Sequence, residues 1–512
     1  MKKIIYILFT GFFILTNSCS KKTIDLDPVG QLTAEGAFSS GDNAVLSLNG
    51  VYRPFADLFG YIQGLSIALE IKSDDAFDAF DRTAPYKIDN ETPETPGAAI
   101  DTWKYCYVTI QRANFVLSKL DGVPFTEEQI GAGLKESIAG QALFLRALSY
   151  YYLVNLYGGV PLFTEYNADP EASQIAQSSI VDVIAQIKAD LNAAAEKLPL
   201  KSQLTGGNGF EIGRATKGAA YALLAEFHLI LEEWQEAVAA SNMVINSNEY
   251  SLRSTGDYAK NFAGLDENGL ESIFEIQYGN TLAPDGAVNE LMVYYTVFQA
   301  PGAVNAYFGG PVTNDDADLP SYKGYGGNGL LQEWEAGDLR KDVVLTTYGI
   351  PNPIDPTKPD LWLPLKYYTP SPNIDGSTPI NYNVLRYART LLTKAEALNE
   401  VTGGDPEAVA IVNQIRTRAG LAALASNIAS NQTLLREAIW KERRLELCYE
   451  GTRYFDLLRT GRYIPIMEGM VNITVPRARV ISHPVTGKDW YLWPIPQNEL
   501  DINPNIIQNP GY

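Results

Sequence analysis

Apolar residues recur at steps of three and four along most of this chain, and that period commits it to packed helices. The pattern covers 100–120, 138–157, 180–198, 216–231 and 234–245, and returns over 385–401, 408–419 and 434–449. Several of these segments form pairs joined by short turns, as in helical-hairpin repeats. One pair has tetratricopeptide spacing: Tyr221, then Leu224 and Ala225, His228 and Ala237. Ser241 stands where an aromatic is usual. Small residues at such places let two helices approach closely, whatever the function. The expected fold class is mainly α, tetratricopeptide-like helical hairpins with a few short strands. Those strands are expected over 272–278 and 475–493, the second with a turn near His483.

Over 250–383 the helical period fades, and Gly, Pro, Asn and aromatics take over, as in Tyr307-Phe308-Gly309-Gly310-Pro311 and Gly324-Tyr325-Gly326-Gly327. So long a turn-rich stretch is uncommon inside a compact protein unless its loops have a task. A large loop-rich insertion on a rigid helical base is the simplest arrangement, with 41–512 as a single domain.

The start of the chain reads as an address. Lys2 and Lys3 precede an apolar run over 4–15, and Ser18 precedes Cys19, which describes a signal peptide over 1–18. The run falls short of the roughly 20 residues that span a bilayer. Cleavage before Cys19 would leave a cysteine ready for acylation, and 19–40 a tether, so the mature chain is expected to hang from a membrane by lipid. An ordinary secreted chain with an incidental cysteine is the alternative. The other cysteines, Cys106 and Cys448, are expected as buried thiols rather than a disulfide framework.

A net charge of −20 argues against nucleic-acid binding, which needs a basic face. The 30 Tyr, 19 Phe and 7 Trp fit either sugar stacking or a tyrosine-rich core. Signals for an enzyme are thin. Only His228 and His483 are present, with no HExxH, G-x-S-x-G or phosphate-binding loop. No cofactor or metal is expected. Asn314-Asp315-Asp316 with Asp318 misses the EF-hand spacing and reads as a solvated turn. Glu442, Glu446 and Glu450 repeat every four residues, followed by Arg453, Asp456 and Arg459 at steps of three. That spacing suits a structural network of ion pairs, which Arg416 and Arg418 are expected to join.

Further segments carry a resemblance: Ile24-Asp25-Leu26-Asp27-Pro28, Asn49-Gly50-Val51-Tyr52, Ala142-Leu143-Phe144-Leu145-Arg146-Ala147, Tyr157-Gly158-Gly159-Val160-Pro161-Leu162 and Gly213-Arg214-Ala215-Thr216. The most specific is Glu442-Arg443-Arg444-Leu445-Glu446-Leu447-Cys448-Tyr449-Glu450-Gly451, ahead of Arg453-Tyr454-Phe455-Asp456-Leu457. In order and coverage these resemble the SusD/RagB family, surface lipoproteins of Bacteroidetes that capture nutrients, mostly glycans. The resemblance implies four tetratricopeptide-like helical pairs under a loop-rich ligand face. It implies a lipid-anchored place at the outer membrane, and a SusC-type TonB-dependent transporter as partner. It also implies that an oligosaccharide is captured and delivered unchanged, without catalysis.

Two stretches are expected to carry the ligand site: Asp74, Phe80, Arg82 and Tyr86 in an early loop, and Tyr307, Phe308, Tyr325 and Trp334 in the insertion. Aromatic faces stack on sugars, while Asp and Arg orient hydroxyls. Peptide or glycopeptide binding, and a scaffolding role for the helical repeats, remain the alternatives. Cys19→Ala should leave the protein soluble after membrane pelleting; continued membrane association would refute the lipid anchor.

Overall fold

The structure, a computed structural model, describes residues 36–60, 64–78, 97–169, 173–207, 209–278, 308–309, 330–347, 362–367, 379–469 and 475–512. Its principal helices are α1 (Gly41–Gly60), α2 (Leu65–Ile71), α3 (Gly97–Lys119), α4 (Leu134–Tyr157), α5 (Ile180–Lys197), α6 (Lys217–Ile230), α7 (Trp234–Ile245), α8 (Tyr387–Val401), α9 (Pro406–Arg418), α10 (Gln432–Leu447) and α11 (Arg453–Arg459). Every segment with helical period is a helix, its ends displaced by a few residues.

Side-chain caps explain several of those ends. Ser179 Oγ accepts from the Asp182 N–H (3.1 Å), Thr216 Oγ1 from Ala219 (3.2 Å) and Asn431 Oδ1 from Leu434 (3.0 Å). Asp405 accepts from both Glu407 and Ala408 ahead of α9, with Pro406 as the first helical residue. Each satisfies an amide that the helix cannot. At the other end of α4, Gly158 takes φ +77°, which favours glycine.

The long helices pack in chain order: α1 on α3, α3 on α4, and so on through α5, α6 and α7 to α8, which then packs on both α9 and α10. In the α6–α7 pair, Ala225 and Ala237 are fully buried, as the tetratricopeptide spacing requires. His228 is buried too, its Nδ1 2.5 Å from Glu233 Oε2. The interior is rich in rings. Tyr151 sits edge-on to Tyr152 and Phe227, and Tyr157 to Trp103. Cys106 and Cys448 are buried free thiols.

Strands are few and short: β1 (Phe77–Asp78), β2 (Ser272–Ile276), β3 (Phe308–Gly309), β4 (Leu345–Thr347), β5 (Trp362–Pro364), β6 (Tyr382–Arg386), β7 (Val480–Ser482) and β8 (Asp489–Tyr491). They form antiparallel pairs, β1 with β3, β2 with β6, β4 with β5 and β7 with β8. The last is the expected hairpin, and His483 lies in its turn, its Nδ1 accepting from the Val485 and Thr486 amides. The β2–β6 pair, from Ser272 opposite Arg386 to Ile276 opposite Tyr382, matters most. It makes the chain leave the helical base and return to it at adjacent points. Before β2, residues 250–271 belong to that base, with Tyr250, Tyr258 and Phe262 buried.

At the other end, Phe38 is buried against Phe115 (centroids 5.3 Å apart), so the chain is docked from its first described turn. Cys19 lies outside the described residues. Among the described residues, no helix is long and apolar enough to cross a membrane. Ala225→Leu should force α6 and α7 apart and cost about 1–3 kcal/mol of stability, measurable by chemical denaturation.

Candidate functional site

The two stretches expected to carry a ligand site lie over 200 residues apart in sequence, yet the main chain ties them together. In β1, Phe77 pairs with Gly309 and Asp78 with Phe308 of β3. The early loop and the insertion therefore share one edge, and β5 lies beside β3. Antiparallel pairing of this kind fixes both register and face.

Beneath that edge the base holds both stretches by buried charge. From α10 and the turn after it, Glu442, Glu446 and Glu450 reach toward the insertion. Arg340 Nη1 donates to Glu442 (2.6 Å) and Glu446 (3.0 Å), while its Nη2 donates to Asp338 (2.7 Å). Lys366, just after β5, donates to Glu450 (2.7 Å). Arg386, the last residue of β6, reaches Glu446 (2.7 Å), Glu450 (2.8 Å) and Glu271 (2.8 Å). Arg418 also donates to Glu271 (2.7 Å), and Arg416 makes a bidentate pair with Glu335 at 2.9 Å. The acids thus hold the insertion near 340 and 366, while Arg386 and Arg418 tie Glu271 to the same network where the chain leaves the base and returns to it.

The arginines of the same region grip the early loop. Arg453 donates to both oxygens of Asp74, at 2.6 and 2.8 Å. Arg444 pairs with Asp74 (3.0 Å) and donates to Asp75 (2.7 Å). A third cluster ties helices to one another: Arg389 and Arg443 meet Glu226 of α6, and Arg459 bridges Glu396 of α8 and Asp456. The charged block is therefore structural, as its spacing implies. α10 ends at Leu447, however, so Glu450 reaches its partners from a turn and not from a helical face. In that turn Tyr449 and Gly451 take φ +62° and +69°.

The electrostatics follow from the pairing. Burial alone would raise the Glu446 carboxyl, but Arg418, Arg386 and Arg340 override it and hold it well below the usual range. Glu450 is likewise lowered, with Arg386 and Lys366 outweighing burial. Burial pushes the Cys448 thiol up to about 12 and His483 down to about 4. Such groups are poor nucleophiles or proton carriers near neutral pH.

Two expected ligand residues change role. Asp74 is fully buried, and both of its oxygens are taken up by Arg453, so it anchors the loop and offers nothing to a sugar. Trp334 is only 9% exposed and joins the hydrophobic core, with the Arg340 guanidinium over its ring at 6.0 Å. It is a packing residue. Phe308 is on β3, at the shared edge. Phe80, Arg82, Tyr86, Tyr307 and Tyr325 lie outside the described residues, as does the acidic turn 314–318.

Sequence reasoning assigned no role to the cations at Arg340, Lys366 and Arg386 in these clasps. The evenly spaced glutamates showed the acidic half, whereas their partners are scattered through loops and a strand. It also missed an open cleft of about 360 Å³ between α1, residues 211–214 and β2, lined by Tyr52, Arg53, Arg214, Phe274 and Gln277. Two of its polar groups are already engaged: Tyr52 Oη donates to Gln141 (2.8 Å), and Arg214 to Asn49 (2.8 Å).

A family model described as "SusD family" matches residues 342–512, and another, "Starch-binding associating with outer membrane", matches 72–229. The two flank the loop-rich insertion, leaving most of it unmatched. The chain is 28% identical to SusD-like protein P2 of Formosa agariphila, covering 99% of each. Among solved structures it is similar to a laminarin-binding SusD-like protein (25% identity, 93% of this chain and 100% of that one, TM-score 0.71). Surface glycan-binding protein A from Bacteroides uniformis is also similar, at 25% identity over 92% and 99% of the two chains, with a TM-score of 0.68.

Trp334→Ala should lower stability by about 3–5 kcal/mol, as for a large core ring, in a denaturant titration without ligand. Arg453→Met, which leaves buried Asp74 with one partner fewer, should cost a similar 3–5 kcal/mol.

Proposed function

The chain belongs to the SusD/RagB family, and from that premise we propose that it captures oligosaccharides at the outer membrane and passes them on unchanged. The observation that carries this is the β1–β3 pair above the buried clasps. It joins Phe77 and Asp78 of one stretch to Phe308 and Gly309 of the other on a single rigid base. Such a base lets exposed rings present a stacking surface with little loss of entropy on binding. Two relatives of the same fold carry names that describe glycan binding, one of them for laminarin.

Transport follows from the same premise. The protein would sit by a lipid on Cys19 over a SusC-type TonB-dependent barrel, holding the ligand between the two until the barrel admits it. No step in this scheme breaks a bond in the ligand. The net charge of −20 would keep the body of the protein off anionic headgroups.

Electrophoresis in native gels cast with laminarin, and with other soluble polysaccharides in parallel, tests the proposal. One or more should retard the protein. Combined Phe80→Ala and Tyr86→Ala, or combined Tyr307→Ala and Phe308→Ala, should abolish the retardation with the melting temperature unchanged. Retardation by none, with binding to a peptide library instead, would replace the glycan reading.

A further inference from the structure

The cleft beside α1 has a lining that selects its occupant. Tyr52 and Ala56 of α1, with Phe274 and Ile276 of β2, give it an apolar floor, and Ile212 stands 62% exposed at its rim. Further polar groups of the lining are engaged as well. Tyr52 Oη accepts the Ala215 amide (3.0 Å), and Glu211 accepts from the Gly209 amide (3.1 Å) and from Arg214. Gln277 exchanges hydrogen bonds with the Asn268 side chain at 2.9 and 3.0 Å. These pairings leave a sugar's hydroxyls little to bind, whereas an apolar side chain entering the cleft gives up no hydrogen bond.

The chain itself supplies such an occupant. Residues 19–35 lie outside the described residues and contain Ile24-Asp25-Leu26-Asp27-Pro28, in which apolar and acidic residues alternate. In an extended segment that alternation puts Ile24 and Leu26 on one face and both acids on the other. The described chain enters at the start of α1, where Asn43 Nδ2 donates to the Gly36 carbonyl (3.0 Å) and Ser47 Oγ to that of Ala37 (3.1 Å). At 3.6 residues per turn, the side of α1 that lines the cleft lies roughly 150° further round the helix. On the face between stand Leu46, 54% exposed, and Gly50, which has open space beside it. On a helix about 12 Å across, the way over that face is a path of roughly 20 Å. The chain from Gly36 back to Leu26 reaches about 33 Å when extended.

We propose that residues 24–27 dock in this cleft, with Ile24 and Leu26 over Tyr52 and Ala56, Leu32 over Leu46, and the acids of the segment toward Arg53 at the rim. Arg53 pairs with Asp57 in an exposed i, i+4 bridge (2.9 Å), which is too weak to keep it from a second acid. Glu211 does not oppose the segment, because Arg214 neutralises it. Attachment favours this segment over a free partner, since a short flexible linker presents it at an effective concentration on the order of millimolar. Docking leaves only residues 19–23 as a leash, about 17 Å at full extension instead of about 56 Å for 19–35. The body of the protein is then held close to its anchor in one orientation. That consequence rests on the lipid at Cys19 proposed above; the docking does not.

The soluble Cys19→Ala chain, beginning at residue 19, tests the docking. Hydrogen exchange at the amides of 24–27 should be slowed about tenfold or more relative to a synthetic peptide of residues 19–35 in the same buffer. Ile212→Asp, which sets a like charge at the rim, should abolish the slowing while the protein stays folded by circular dichroism. Combined Ile24→Ser and Leu26→Ser should do the same. Val401→Asp, an exposed site outside the cleft, should leave the slowing intact. In a further variant, Leu26→Cys with Ile212→Cys should cross-link on mild oxidation, since Cys106 and Cys448 are buried. Exchange at the peptide's rate in the otherwise unchanged chain would overturn the docking, as would slowing that survives both Ile212→Asp and the serine pair. If the Cys19→Ala chain pellets with membranes but 24–27 behave as expected, the lipid anchor falls and the docking stands.

Discussion

Arginine buried against carboxylate is the interaction on which the upper half of this molecule depends. Glu446 meets Arg340 and Arg386 from opposite sides of the insertion, while Asp74 meets Arg444 and Arg453. Stability alone does not account for this. Burying such groups carries a large desolvation cost, and apolar side chains of the same volume often do as well or better. What ion pairs add is direction, because a bidentate guanidinium satisfies its carboxylate in one geometry only. A long insertion set on apolar contacts could slide, whereas one held near 340 and 366, and tied at 271 and 386 where the chain leaves the base and returns, has its roots fixed.

The same logic explains where the aromatic residues go. Tyr150, Tyr151, Tyr152 and Tyr157 of α4 are all buried, and Trp103, Trp490 and Trp493 join them in the core. Their number does not by itself mark a sugar-binding surface. Helices packed this closely need flat, rigid side chains to fill the space between them, and rings meeting edge to face do so. Trp334 shows how the two roles are confused. It sits in a loop-rich stretch among tyrosines and glycines, yet it is packed beneath the surface beside Arg340.

Much of the base was legible in the sequence because helices advertise themselves locally. Thr216, Asp405 and Asn431 cap where polar residues precede apolar periods, and Ala225 and Ala237 mark a close approach from spacing alone. The site was less legible. Glu442, Glu446 and Glu450 announce a network through their spacing, but nothing local links them to Lys366 or Arg386. Asp74 looked like a ligand contact for the same reason. An acid beside aromatics reads as a binding residue until its partners, Arg444 and Arg453, are brought to it from the far end of the chain.

Residue patterns alone were enough to give the helices, their pairing into hairpins, the hairpin around His483 and the family resemblance. All of these rest on patterns within a few dozen residues. It took the tertiary structure to make 77–78 and 308–309 neighbours and to bury Asp74 and Trp334. Those outcomes depend on contacts between segments hundreds of residues apart. Whether a carboxylate is an anchor or a ligand contact is set by what lies on its other side, which no local pattern contains.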